Sequence, residues 1–250
     1  MEGNFESIKN VLYNEASELV NSSAMFKALR AKEKIDVDIP KEFAEKFFKI
    51  IDKVNLSLME EKDNFYGYFL FQMGREIRFD ISSPTGINFK GAKYVIYFNP
   101  IIFLQLNIKQ MESTIKHEIH HVLSMHLARA KELRGKFSTL AINLAMDIVV
   151  NQYLNNLPPY ATTLKGVNLK YELNLEPYNS FEYYAENIQN VLNVLEESDE
   201  GEEDDSWGEE LENGYDPETT HDLWDESENI DEKTLRDFTE KFISNSEKGV

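Results

Sequence analysis

Residues 110–126, QMESTIKHEIHHVLSMH, set an H-E-x-x-H pattern inside a run of helical periodicity, and that placement decides how the rest of the chain is read. Ile115, Ile119, Val122 and Leu123 stand beside the histidines, so the polar group adjoins a face that packs inward. Residues four apart on a helix are separated by about 40° in azimuth and about 6 Å in rise, so His117 and His121 can close on one ion. Zinc binds nitrogen at about 2.0–2.1 Å, which this spacing permits. Glu118 is turned about 100° from His117 and lies beside such an ion, where a general base for an activated water belongs.

A catalytic zinc site uses three protein ligands and keeps one position open. His126 follows His117 by nine residues, and position 124 is Ser where extended patterns turn on Gly. On a continuous helix from about Gln110 to Leu133 it points about 180° from His117, which gives it a structural or supporting role. The next helix, about Ser138 to Leu154, carries Asp147 and Asn151 four apart in an otherwise apolar segment. A buried carboxylate without a partner is costly, and a cation is a natural partner. The pair is similar to the gluzincin arrangement, in which a second helix supplies a carboxylate ligand and, four residues on, a side chain that orients the first histidine. That likeness implies Asp147 on the metal and Asn151 accepting from His117.

Composition narrows the chemistry further. The chain has no cysteine, so disulfides and thiolate sites are excluded and His, Asp and Glu remain as strong ligands. Residues 1–195 carry 22 Lys and Arg against 23 Asp and Glu, whereas residues 196–250 carry 4 against 22, so the formal charge of −19 belongs to the tail. A neutral body with an anionic tail offers no basic stripe for phosphates, which argues against nucleic acid. Met1–Val20 contains no apolar run long enough for a signal segment or membrane span, so no membrane partner and a cytoplasmic location are expected.

Apolar spacing predicts an amphipathic helix over about Phe5–Ala31 and a second one starting at Pro40 with Phe43, Phe47, Ile50, Ile51 and Val54 on one face. Phe65–Phe98, punctuated by Gly74, Pro84, Gly86 and Gly91, reads as short strands and turns, with Tyr94–Phe98 the best strand. Such a strand, at a sheet edge, could pair with an extended peptide; an ordinary core strand is the equal alternative. Pro158-Pro159 stops the Asp147 helix, a loop region runs to Asn179, and a helix capped by Ser180 reaches about Leu195. The acidic run that follows is expected to be disordered, with a short helix at about Asp231–Ser244.

With both metal helices in place, the chain resembles the metallopeptidase domain that often precedes a von Willebrand A-like domain in bacterial and phage proteins. The likeness covers roughly residues 65–225. Its carriers are Tyr97-Phe98-Asn99-Pro100, His117 to His121 followed by His126 and Arg129, Ala145-Met146-Asp147 with Asn151, Ser180 with Glu182 and Tyr184, and His221 with Trp224. The 55 residues after Leu195 are too few and too acidic for an A-like domain, which implies a stand-alone version.

The fold expected is α+β and zincin-like, mainly helical, with a small mixed sheet beside the active-site helix and an acidic C-terminal tail. Residues 1–195 form the metallopeptidase-like domain, of which 1–62 is a helical N-terminal part; 196–230 form the acidic segment and 231–250 a short helix. The activity expected is hydrolysis of a polypeptide substrate with Zn²⁺ on His117, His121 and Asp147 and Glu118 as base. Tyr160, Tyr171, Tyr178 and His221 are the candidate oxyanion or substrate contacts, with His221 lifted by the resemblance. The alternative is a zinc-stabilised adaptor that recruits a basic or ATPase protein partner through the tail, which could also lie over the metal cleft and inhibit it.

Overall fold

The computed structural model describes residues 2–20, 25, 35, 37–60, 64–197, 221 and 232–247. Among the described residues the chain begins with α1 (Glu2–Leu19), and α2 (Lys41–Glu60) and a shorter α3 (Asn64–Gln72) come after it. The expected continuation of the first helix to Ala31 and most of the acidic segment lie outside the described residues. α2 buries Phe43, Phe47, Ile50, Ile51, Val54 and Leu58 along the face its spacing foretold.

α3 corrects the reading of residues 65–72 as strand. Its sequence, NFYGYFLFQ, is apolar nearly all round, so no helical period was there to see. Gly67 lets α3 lie close to α2: a Cβ there would come within 2.5 Å of Met59 Sδ, so the Met59 side chain would have to move.

Three strands follow, β1 (Gly74–Ile77), β2 (Thr85–Lys90) and β3 (Lys93–Phe98), in spatial order β1-β3-β2. β3 pairs parallel with β1 and antiparallel with β2, so the sheet is mixed and the fold is α+β. β3 is therefore the central strand, not an edge open to a peptide. Its buried residues Tyr94–Phe98 pack between helices, with Phe47, Phe98 and Phe103 meeting edge to face. Asn99 ends the strand and starts α4 (Pro100–Phe103): its side-chain oxygen caps Ile101 N–H, and its amide nitrogen donates to Ile81 O at 2.8 Å.

The expected helix from Gln110 to Leu133 is two helices, α5 (Ile108–Leu123) and α6 (His126–Leu133). An Asn107–Gln110 capping box starts α5, and Met125, at φ 53°, turns the chain through the left-handed region between the two. α7 (Thr139–Asn151), capped by Ser138, lies against α5. The loop expected up to Asn179 contains α8 (Leu164–Lys170), and α9 (Phe181–Glu197) packs along α7. α10 (Glu232–Glu247) sits on the sheet and α3 through Leu235, Phe238 and Phe242.

Candidate metal centre

α5 and α7 turn their polar residues toward each other across an apolar contact. His117 Nε2 and His121 Nε2 are 2.9 Å apart, and each lies 3.4 Å from Asp147 Oδ1. Tetrahedral bonds of about 2.05 Å place ligand atoms about 3.3 Å from one another, so the three atoms already have the separations one ion demands. Two ring nitrogens at such a distance need a proton or a cation between their lone pairs. His121 and Asp147 are almost fully buried, at 1% and 3% exposure, which concentrates the demand for compensation. The His-His-Asp group fits a metal ion on these grounds.

The orientation of His117 follows from its neighbour. The Asn151 side-chain nitrogen donates to Thr162 O at 2.7 Å, which turns Oδ1 toward His117 Nδ1 at 2.8 Å. Only an N–H can satisfy that oxygen, so Nδ1 carries a hydrogen and Nε2 faces His121 and Asp147. Burial alone would lower the His117 pKa, but its hydrogen bond to Asp147 and the nearby carboxylates raise it to about 9. Asp147 shows the complementary behaviour: burial favours its neutral form, yet hydrogen bonds from His117, His121 and His221 hold it well below the usual carboxylate range. His121, buried beside charged His117, is pushed well down.

Glu118 lies on the adjoining face of α5. Thr85 Oγ1, at the start of β2, donates to Glu118 Oε1 at 2.9 Å. Its other oxygen, Oε2, is buried and has no hydrogen-bond partner among the described residues. Burial raises the Glu118 pKa, the shift expected of a carboxylate that accepts a proton at neutral pH. A narrow cavity of about 50 Å³ lies beside it, lined by His117, Glu118, Asp147, Asn151, Tyr160 and His221 among others.

The structure brings His126 back toward the ligands instead of turning it away, because the break at Met125 ends α5 before the helical phase would carry it round. His126 Nδ1 is 2.9 Å from His121 Nδ1, and its ring packs on Phe181. His221 is buried, with Nε2 3.1 Å from Asp147 Oδ1. Tyr160 reaches the cavity and burial raises its pKa, whereas Tyr171 and Tyr178 are not among the lining residues. His120, inside the five-residue motif, faces elsewhere: Nε2 meets Tyr66 Oη at 2.9 Å, and burial lowers its pKa to about 4. Thr85 and Thr162 were missed from the sequence, where no motif marks them; their roles depend on contacts 33 and 11 residues away in the chain.

A model of a family described as a putative metallopeptidase domain matches residues 59–226. The matched span runs from the end of α2 past His221 and includes every residue of the site. No curated protein and no solved structure matches the chain. Among the described residues no helix is long and apolar enough to cross a membrane.

Proposed function

Because the chain belongs to this metallopeptidase-domain family, we propose that it hydrolyses peptide bonds with a zinc ion held by His117, His121 and Asp147 and with Glu118 as general base. The family and the His-His-Asp group support a metal-dependent, peptidase-like role and a polypeptide substrate. The observation that carries the finer reading is the convergence of three ligand atoms beside a buried carboxylate whose Oε2 has no described partner. Two imidazoles and one carboxylate, without thiolate, form the N/O donor set of catalytic zinc.

When bound, zinc supplies Lewis acidity, polarising a substrate carbonyl and lowering the pKa of water toward about 7. The chain supplies the proton transfers and the positioning. Thr85 fixes one oxygen of Glu118, leaving Oε2 to take the proton of the attacking water. The same carboxyl then returns that proton to the departing amine, a task suited to its raised pKa. Asn151 holds His117 in the tautomer that presents Nε2, and His126 Nδ1 accepts from His121 Nδ1–H to do the same for the second ligand. His221 Nε2 donates to Asp147 and so fixes the carboxylate. The Tyr160 hydroxyl, kept protonated by burial, is the donor we assign to the developing oxyanion.

Metal content by mass spectrometry and cleavage of a peptide library, measured on wild type, His117→Ala, Asp147→Ala and Glu118→Gln, test this reading together. Glu118→Gln is expected to keep its metal and lose cleavage by at least about 100-fold, and the two ligand variants to lose both. Metal bound in wild type with no cleavage in any sample would identify an adaptor instead. Full metal affinity in Asp147→Ala would remove Asp147 from the ligand set.

A further inference from the structure

The two histidines of the metal group are held in different ways. Asn151, which orients His117, is itself anchored on Thr162 O, whereas His126, which meets His121, has no second polar anchor: its Nε2 is buried without a hydrogen-bond partner among the described residues. At 0% exposure, His126 takes its orientation from the backbone that carries it and from the side chains packed on it. Both lead to Arg129, three residues further along α6. Arg129 Nη1 donates to Ser124 O at 3.2 Å, across the left-handed break at Met125, and so closes the corner at which α6 leaves α5. Its Cζ lies 5.2 Å from the centre of the Phe181 ring, and that ring lies 5.3 Å from the ring of His126.

On its other edge Arg129 grips a carboxylate. Nε donates to Glu182 Oε1 at 3.1 Å, and Nη2 donates to Oε1 and Oε2 at 2.7 and 2.8 Å, with Glu182 in the first turn of α9. A single half-exposed ion pair contributes little, but a forked guanidinium–carboxylate pair lying on an aromatic face has a fixed geometry. Glu182 follows Phe181 in the chain, so the pair also sets where the Phe181 ring stands. α9 in turn lies along α7, which carries Asp147. From these contacts we infer that Arg129 and Glu182 are positioning residues for the metal centre: they hold Phe181 and the α5–α6 corner, and these hold His126 against His121. The inference rests on the His-His-Asp ligand set and not on cleavage of any peptide.

The test titrates the metal-free full chain with Co²⁺, whose visible absorption reports ligand geometry, and reads affinity by competition with a chromophoric chelator. Glu182→Gln, at a half-exposed carboxylate, and Arg129→Met are each expected to weaken Co²⁺ binding by about three- to tenfold and to alter the visible bands, a smaller effect than removal of a direct partner has. Arg75→Met is the matched control: Arg75 also pairs with a carboxylate, Asp52, and lies over a ring, Phe48, but it joins α2 to β1. This control is expected to leave affinity and spectrum unchanged whatever it does to Tm. In a His126→Phe background Arg129→Met is expected to add less than about twofold, since the pair acts through His126. Wild-type affinity in both Glu182→Gln and Arg129→Met, an equal loss in Arg75→Met, or the same loss with and without His126 overturns the inference while the ligand set stands. A wild-type chain that binds no Co²⁺ overturns the ligand set and the inference together, and neither result depends on whether a peptide is cut.

Discussion

His117 meets Asn151 at one ring nitrogen and Asp147 at the other, and the two contacts determine what it can bind. Orienting partners of this kind are worth about 10- to 100-fold in metal affinity. Asn151→Ala is therefore expected to weaken metal binding by that factor in competition with a chromophoric chelator; unchanged affinity would show that packing alone holds the ring. The proton on His117 gives a second expectation. Its folded pKa of about 9 lies above the ordinary 6.5, so the metal-free fold holds this proton more tightly than the unfolded chain does. The resulting stabilisation is full below about pH 6.5 and is lost as pH rises through about 9. In the loaded protein the ion takes the proton's place. Metal-free protein should thus lose Tm across that interval relative to loaded protein, and parallel Tm curves for the two forms would count against the His117–Asp147 contact.

At the scale of elements, the proposed role of Glu118 depends on β2 reaching α5. Thr85 donates to Glu118 across the join of sheet and helix, and a hydrogen bond to a charged group contributes roughly 1.5–3 kcal/mol. Thr85→Val keeps the shape and removes the donor, so kcat is expected to fall about tenfold or more with metal content unchanged; equal loss of metal and rate would instead indicate a disturbed fold. The pairings that matter here divide by range. His117 with His121 and Asp147 with Asn151 are i,i+4 neighbours on capped helices, so each pair's shared face was legible from spacing, whereas the meeting of the two faces was implied only by the likeness to the gluzincin arrangement. The central position of β3 was not, because its parallel partner β1 is reached only through long-range pairing. The placement of His126 depends on a single left-handed residue, Met125, which no sequence rule demands of a methionine. α3 escaped for another reason: its apolar residues continue from buried Phe69 and Leu70 to exposed Phe71, which erases the amphipathic signature.

Over the whole molecule, residues beyond Leu195 contribute directly to the body. His221 bonds to Asp147, and α10 buries Leu235 and packs the Phe238 ring on Phe89 and the Phe242 ring on Tyr94 and on Phe69 of α3, at 4.8–5.4 Å between centroids. Gln72 Nε2 donates to Ser246 Oγ at 2.7 Å, and Arg236 pairs with Glu132 at 2.6 Å, fixing the helix at both sides. Burying Leu235 and Phe242 and covering part of Phe238 contributes roughly 4 kcal/mol or more, a large share of the net stability of an ordinary domain. The family match ends at residue 226, so α10 lies beyond the matched span while packing against it. An autoinhibitory tail and a structural tail then predict opposite outcomes for two deletions. Truncation after Leu195 removes His221 and α10 together, and we expect a large fall in Tm, by about 10 °C or more, and weaker metal retention, with no gain in turnover. Deleting only residues 198–219 removes acidic charge while keeping both anchors, so any inhibition exerted by that charge would appear here as a rise in cleavage at unchanged Tm. A truncated chain that melts like wild type and still holds its metal would show that neither His221 nor α10 supports the site.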